Sequence, residues 1–251
     1  MDGKSFINTS PTQPVAGKNR LQKAQSFIEL ALVLPILLIM LLGMVEVVIF
    51  IGRYLDVLDL TREAARFASV RDPYTLAGLD TVSCSQPDPF HFYFHTSCIF
   101  SPPTGSPNCT DTDWCNGLNP YMVFDPETDD IVISVYTVMD HSVQDPVWPQ
   151  PDGYWAYSDH DADLAHNSNF KRNCAGEPVR TQPYYTKDRI DLDMSLNSTN
   201  NKGFVAVEFY YCYSQVLGIP IMSDFLPNPI QIHAYTLMPL PAAQPSATPK
   251  P

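Results

Sequence analysis

Basic residues and glycine are both scarce in this chain, and no familiar catalytic signature is present. Fifteen Lys and Arg stand against 27 Asp and Glu, for a formal charge of −12. The deficit sits in residues 72–251, with 7 basic and 21 acidic side chains. Such a body lacks the cations that phosphate contacts require, which excludes a nucleic-acid partner. It is equally unsuited to lying flat on an anionic membrane. Only 11 Gly accompany 24 Pro in 251 residues, which points to a loop-rich or β-rich body rather than a helical bundle. There is no G-x-S-x-G, no H-E-x-x-H and no phosphate-binding glycine loop. No C-x-x-C pair suggests zinc, and no internal repeat appears. These absences imply no enzyme, no catalytic residue, no cofactor and no resident metal.

What is present is one long apolar run. Residues 30–45, LALVLPILLIMLLGMV, carry no charge. The 25 residues from Phe27 to Ile51 are interrupted only by Glu29 and Glu46. About 20 apolar residues cross a bilayer as a helix. Pro35 and Gly43 are tolerated in such a helix. Residues 1–24 carry Lys4, Lys18, Arg20 and Lys23 against Asp2. This basic leader stays cytoplasmic and the remainder is exported. A removable secretory signal is the competing reading, but the apolar core is long and no A-x-A site follows it.

The helix is expected to continue. RYLDVLDLTREAARFASV (53–70) has neither Pro nor Gly. Val57, Leu60, Ala64 and Phe67 form one apolar stripe, and Asp72-Pro73 ends the pattern. The prediction is one helix from Ser26 to Arg71, roughly 70 Å long. A plain anchor followed by a separate amphipathic helix is the alternative. Glu46 lies 17 residues beyond Glu29, about 25 Å along the helix. It either sits at the outer membrane interface or makes a possible intramembrane contact with a partner helix.

A basic leader, a small residue, then four residues and a Glu opening an apolar helix is the layout of type IV prepilins. Residues 24–73, AQSFIELALVLPILLIMLLGMVEVVIFIGRYLDVLDLTREAARFASVRDP, resemble the TadE/TadG-type pseudopilins of tight-adherence (Tad) systems. A looser likeness covers GFVAVEFYYCYSQVLGIPIMSDFLPNPIQIHAYTLMPLP near the C terminus. The resemblance implies processing between Ala24 and Gln25 by a prepilin peptidase. The family usually carries Gly where this chain has Ala24. Glu29 becomes the fifth mature residue, facing the free amine of a neighbouring subunit during assembly. Opposite charges neutralise each other in low dielectric, where either alone is strongly disfavoured. Implied partners are other pilins and pseudopilins, the peptidase, the inner-membrane assembly platform and membrane lipid. Without cleavage the segment is a signal anchor with Glu29 at the cytoplasmic interface.

The exported body spans 73–238. Strands are expected at 130–140, 203–214 and 229–238, with 90–100 as a fourth. Pro-, Asn- and Asp-rich loops fill 101–129 and 145–202. The last 13 residues contain five Pro and read as an extended tail, 239–251. Cys84, Cys98, Cys109, Cys115, Cys174 and Cys212 all follow the apolar run. An even count in an exported body favours three disulfides, with fifteen pairings open. The working expectation joins the first four among themselves and Cys174 to Cys212. Asp159, Asp161 and Asp163 alternate and offer oxygens to Ca²⁺, but EF-hand spacing fails, so a solvated acidic loop is preferred. The aromatic stretch PVWPQPDGYWAY (146–157) reads either as a binding tip or as partly buried loop aromatics.

The predicted fold class is α+β: a long N-terminal transmembrane, pilin-like helix packed on a small antiparallel β-sheet with long disulfide-stapled loops. The functional expectation is a minor Tad-type pseudopilin serving adhesion, single-pass, with its C-terminal domain extracytoplasmic. An anchored binding domain or adhesin without a filament role is the alternative. A hydrolase built from scattered Asp and His residues is the third and weakest reading.

Overall fold

The computed structural model describes residues 18–109, 113–119, 121–160, 168–196, 202–218 and 227–240, with side chains from Phe27 onward. Helix α1 covers Lys18–Ser69, with Pro35 inside it. It starts before the expected Ser26 and stops two residues short of Arg71. Two compact units divide the chain between Val45 and Glu46. The first contains the N-terminal part of α1. The second contains residues 46–69 of α1 and everything after them.

The second unit is built on an antiparallel sheet. Its strands are β1 (Asp130–Met139), β2 (Ser142–Trp148), β3 (Trp155–Ala156), β4 (Lys202–Tyr213) and β5 (Ile230–Leu240). The order is β2-β1-β4-β5, and β3 pairs with β1 further along the edge that β2 occupies. Val135 lies opposite Val205, and Glu208 opposite Tyr235. Nine of the ten residues of β1 are buried, so both sheet faces must be covered. On one face Ile131, Ile133, Val135, Val207 and Phe209 pack with Val57, Leu60, Ala64 and Ala68 of α1. Phe67, expected on this stripe, is only half-buried, and the Arg71 guanidinium lies 3.4 Å over its ring. Ala68 takes the inward position instead.

The opposite face is covered by segments that sequence patterning assigned to loops. Helix α3 (Lys187–Leu196) places Ile190 and Met194, one turn apart, against Tyr136, Val138, Phe204 and Ala206. Phe170 packs with Val132, Ala156 and Tyr210. The α+β class and the helix-on-sheet packing agree with expectation. Two elements do not. Residues 90–100 are not a strand: Phe92–Ser97 form helix α2 and Cys98–Phe100 a 3₁₀ turn. The His91 Nδ1 accepts from the Phe94 amide at 3.1 Å, capping the helix. Both faces of α2 are buried, which erases the helical period and leaves an aromatic run that mimics a strand. Strand β2 also lies in the predicted 145–202 loop region, continuing past Pro146 along the sheet edge.

Three disulfides fasten the loops: Cys84–Cys98, Cys109–Cys115 and Cys174–Cys212. The last spans 38 residues and ties the face-covering segment to β4. A loop of that size corresponds to about 4 kcal/mol of lost unfolded-state entropy in the chain-entropy model.

Two buried acids gather the start of β1. Asp130 accepts from Ser158 N at 3.0 Å, Ser158 Oγ at 2.7 Å, Phe170 N at 2.9 Å and its neighbour Ile131 N at 2.9 Å. Asp129 accepts from Cys212 N at 2.7 Å and Asp125 N at 2.9 Å. Burial outweighs these donors and pushes Asp129 up to about 7 and Asp130 up to about 6, with Asp125 and Asp159 adding like charge. A carboxyl raised in the folded state contributes stability that is fully present below about pH 4. That stability is lost as pH rises through about 6 and about 7 respectively. His91 runs the other way: burial, with His160 and His95 nearby, pulls it to about 4, so its contribution is lost as pH falls. Comparing Asp129→Asn with the parent cancels the histidine. Urea unfolding at pH 5 and pH 8 is expected to show the difference in midpoint shifting toward the variant at the higher pH. A constant difference would mean that Asp129 is ionised throughout.

Candidate functional site: the apolar helix and its two glutamates

Between Phe27 and Val45, α1 presents apolar side chains nearly all round. Phe27 and Met44 are each 75 % exposed, and only Gly43 in this stretch is even partly covered. The segment is long and apolar enough to cross a membrane. So much continuous apolar surface is unfavourable in water and suits lipid or other apolar helices. Such a helix satisfies its own backbone hydrogen bonds, apart from those interrupted at Pro35. Glu29 is exposed, and its carboxylate has no hydrogen-bond or ion-pair partner among the described residues. Ala24 and Gln25 fall inside α1, and their side chains lie outside the described set.

Glu46 is different. It is 4 % exposed and lies in the second unit. One carboxylate oxygen accepts from Tyr213 Oη at 2.8 Å and Val216 N at 2.9 Å. The other accepts from Leu217 N at 2.9 Å. Phe50, one turn further along α1, meets the Tyr213 ring edge-on at 5.5 Å. Glu46 therefore caps the backbone where the chain leaves β4. Sequence left it between an interface position and a contact with a partner helix; its donors instead come from this chain. Nothing in the sequence signals a contact across about 170 residues.

The remaining candidates are placed as follows. All six cysteines are in disulfides. Asp159 accepts from Ser168 N at 2.7 Å and Ser168 Oγ at 2.9 Å, while Asp161 and Asp163 lie outside the described residues. Among the described residues no group of three or more His, Cys, Asp or Glu is arranged to hold a metal ion. Trp155 and Tyr157 are buried, and Trp148 is half-buried against Tyr74, so the aromatic stretch at 146–157 belongs largely to the fold. His91 and His95 do fall on one helical segment, but both are occupied. The two ring nitrogens of His95 meet the backbone of His91 and the Gln86 carbonyl.

One buried acid escaped the sequence reading. Glu208 on β4 is 1 % exposed and accepts from Tyr184 N at 2.9 Å, Tyr185 N at 2.8 Å and Tyr210 Oη at 2.5 Å. The signal was available, since a single carboxylate interrupts the apolar and aromatic run FVAVEFYYCY.

The described residues thus combine one helix long and apolar enough to cross a membrane with a disulfide-stapled α+β domain. Residues 24–66 match the family described as TadE-like protein. This is the segment that holds Ala24, Gln25, Glu29 and Glu46. No curated protein and no solved structure matches the chain.

Replacing Glu46 by Ala leaves the buried Tyr213 hydroxyl and the part-buried Val216 and Leu217 amides without their acceptor. A loss of about 1–3 kcal/mol is expected. Hydrogen exchange should locate it, with the amides of Val216 and Leu217 losing protection first. Unchanged protection there would show that the cap is dispensable.

Proposed function

We propose that this chain is a minor Tad-type pseudopilin, acting by assembly rather than catalysis. One observation carries the reading. The TadE-like match over residues 24–66 covers an exposed apolar helix whose only acid before Glu46 is the unpartnered Glu29. A prepilin peptidase cuts between Ala24 and Gln25. The new amine of a neighbouring subunit then pairs with Glu29, and the apolar helices pack together as the subunits leave the lipid. The assembly platform at the inner membrane supplies the other contacts. The acidic, disulfide-stapled domain is displayed on the extracytoplasmic side, where it starts, caps or decorates a filament used for adhesion.

A second reading rests on Ala24, which stands where the family usually has Gly. If the leader persists, the chain is a single-pass anchored binding domain with no filament role. Terminal sequencing of the membrane-extracted protein separates the two. The pseudopilin reading expects a start at Gln25 that disappears when the cell's prepilin peptidase is deleted. Met1 retained in both strains favours the anchor.

Glu29→Ala is expected to reduce recovery in sheared filaments by roughly tenfold or more, because an amine is left unpaired in an apolar setting. Membrane insertion should be unchanged, since removing a charge from an apolar helix does not hinder it. Normal filament incorporation by this variant would overturn the assembly role.

A further inference from the structure

The acidic body contains one basic stretch of sequence, and two of its arginines line an open cleft. Residues 72–251 hold seven basic side chains, and five of them, Lys171, Arg172, Arg180, Lys187 and Arg189, fall within residues 171–189. This stretch carries only Glu177 and Asp188 as acids. It covers the sheet face opposite α1. There it borders a cleft of about 440 Å³ whose lining includes Arg180, Gln182, Tyr184, Thr186, Arg189 and His233. That volume falls within the usual range for small-ligand sites.

The walls are organised in advance. Buried Glu208 holds the Tyr184 and Tyr185 amides and the Tyr210 hydroxyl, and meets His233 Nε2 at 3.2 Å. Tyr210 and His233 stack with centroids 4.2 Å apart, and Tyr184 stacks on Tyr235 at 4.0 Å. Each stack supports a guanidinium: Arg180 lies 4.7 Å over Tyr210, and Arg189 lies 3.7 Å over Tyr184. Arg180 spends two N–H groups on neutral acceptors, the Phe170 carbonyl and the Gln231 side-chain oxygen. Neither arginine has a carboxylate partner among the described residues, whereas nearby Lys187 is paired with Asp145 at 2.6 Å. Two guanidiniums, each laid over a tyrosine ring and neither with a carboxylate partner among the described residues, are well suited to a planar carboxylate.

We infer that this cleft binds the carboxylate of an acidic saccharide, a uronate unit within a mostly hydroxylated glycan. The choice of ligand follows from the surrounding field. A densely charged polyanion would extend beyond the cleft and meet the net-negative remainder of the domain. A glycan with sparse carboxylates places one in the cleft and neutral hydroxyls elsewhere. The hydroxyl and amide groups of Thr181, Gln182 and Thr186 at the cleft are suited to such hydroxyls. The inference does not depend on the filament reading, since an anchored ectodomain would present the same cleft.

The test uses the full chain in detergent micelles and calorimetric titration at low salt. A neutral hexasaccharide carrying a single uronate unit is compared with the same hexasaccharide lacking the carboxylate and with hexaglutamate. The mono-uronate glycan is expected to bind roughly tenfold or more tighter than either. Arg189→Gln removes an exposed cation and should weaken binding by roughly tenfold, with the thermal melt unchanged. Arg180→Lys keeps the charge but loses the fork, and should weaken binding in the same direction. Lys202→Gln changes net charge equally outside the cleft and should leave affinity nearly unaltered. The inference is overturned if the mono-uronate glycan fails to bind, if the neutral sugar or hexaglutamate binds as well, or if the two arginine variants behave like Lys202→Gln.

Discussion

Carboxylates taken out of water cost several kcal/mol unless donors surround them, and four of them organise the second unit of this chain. Asp130 gathers the Tyr157–Asp159 turn and the segment at Phe170 onto the start of β1. Asp129 beside it holds β4 through the Cys212 amide. Glu208 draws the Tyr184–Tyr185 backbone onto the sheet. Glu46 holds the chain that leaves β4. Most of the backbone N–H groups that these acids require come from turns and connections, with the Cys212 and Ile131 amides supplied by β4 and β1. Apolar packing alone would not set the register of such long connections. The acids do, because each has a definite number of acceptor positions to fill.

Helix α1 carries two surfaces with different chemistry. Between Phe27 and Val45 its side chains are apolar apart from Glu29 and nearly all exposed, and this stretch lies within the TadE-like match over residues 24–66. After Glu46 a narrower stripe of Val57, Leu60, Ala64 and Ala68 is buried on the sheet. The two glutamates differ in the same way. Glu29 has no hydrogen-bond or ion-pair partner among the described residues, while Glu46 accepts three hydrogen bonds within its own unit and so has a structural part to play.

The face of the sheet away from α1 carries the second chemistry. Its covering segment is basic within an acidic body, and Glu208 positions it. The same carboxylate that satisfies two backbone amides also orders the Tyr210–His233 stack beneath Arg180. The cleft, whose two arginines have no carboxylate partner among the described residues, is thus bordered by side chains that the fold gathers around a buried acid.

Much of the fold was legible in local pattern. The apolar run announced α1, since no other element holds so many apolar residues in succession. The alternation DIVISVYTVM and the run FVAVEFYYCY marked β1 and β4, and the even cysteine count announced three bridges. The basic leader, small residue and Glu29 pointed to the family, because that signal lies within a few consecutive residues. Tertiary structure decided the rest. It made 90–100 a helix, because a segment buried on all sides shows no period to read. It placed β2 and α3 in what read as loop, because Pro146 and the acidic flanks of α3 obscure their apolar contacts. It brought Gln231 to Arg180, Tyr184 and Tyr185 to Glu208, and Val216 and Leu217 to Glu46, across separations of about 20 to 170 residues along the chain. Such pairings depend on which faces meet in three dimensions, and local periodicity carries no record of that.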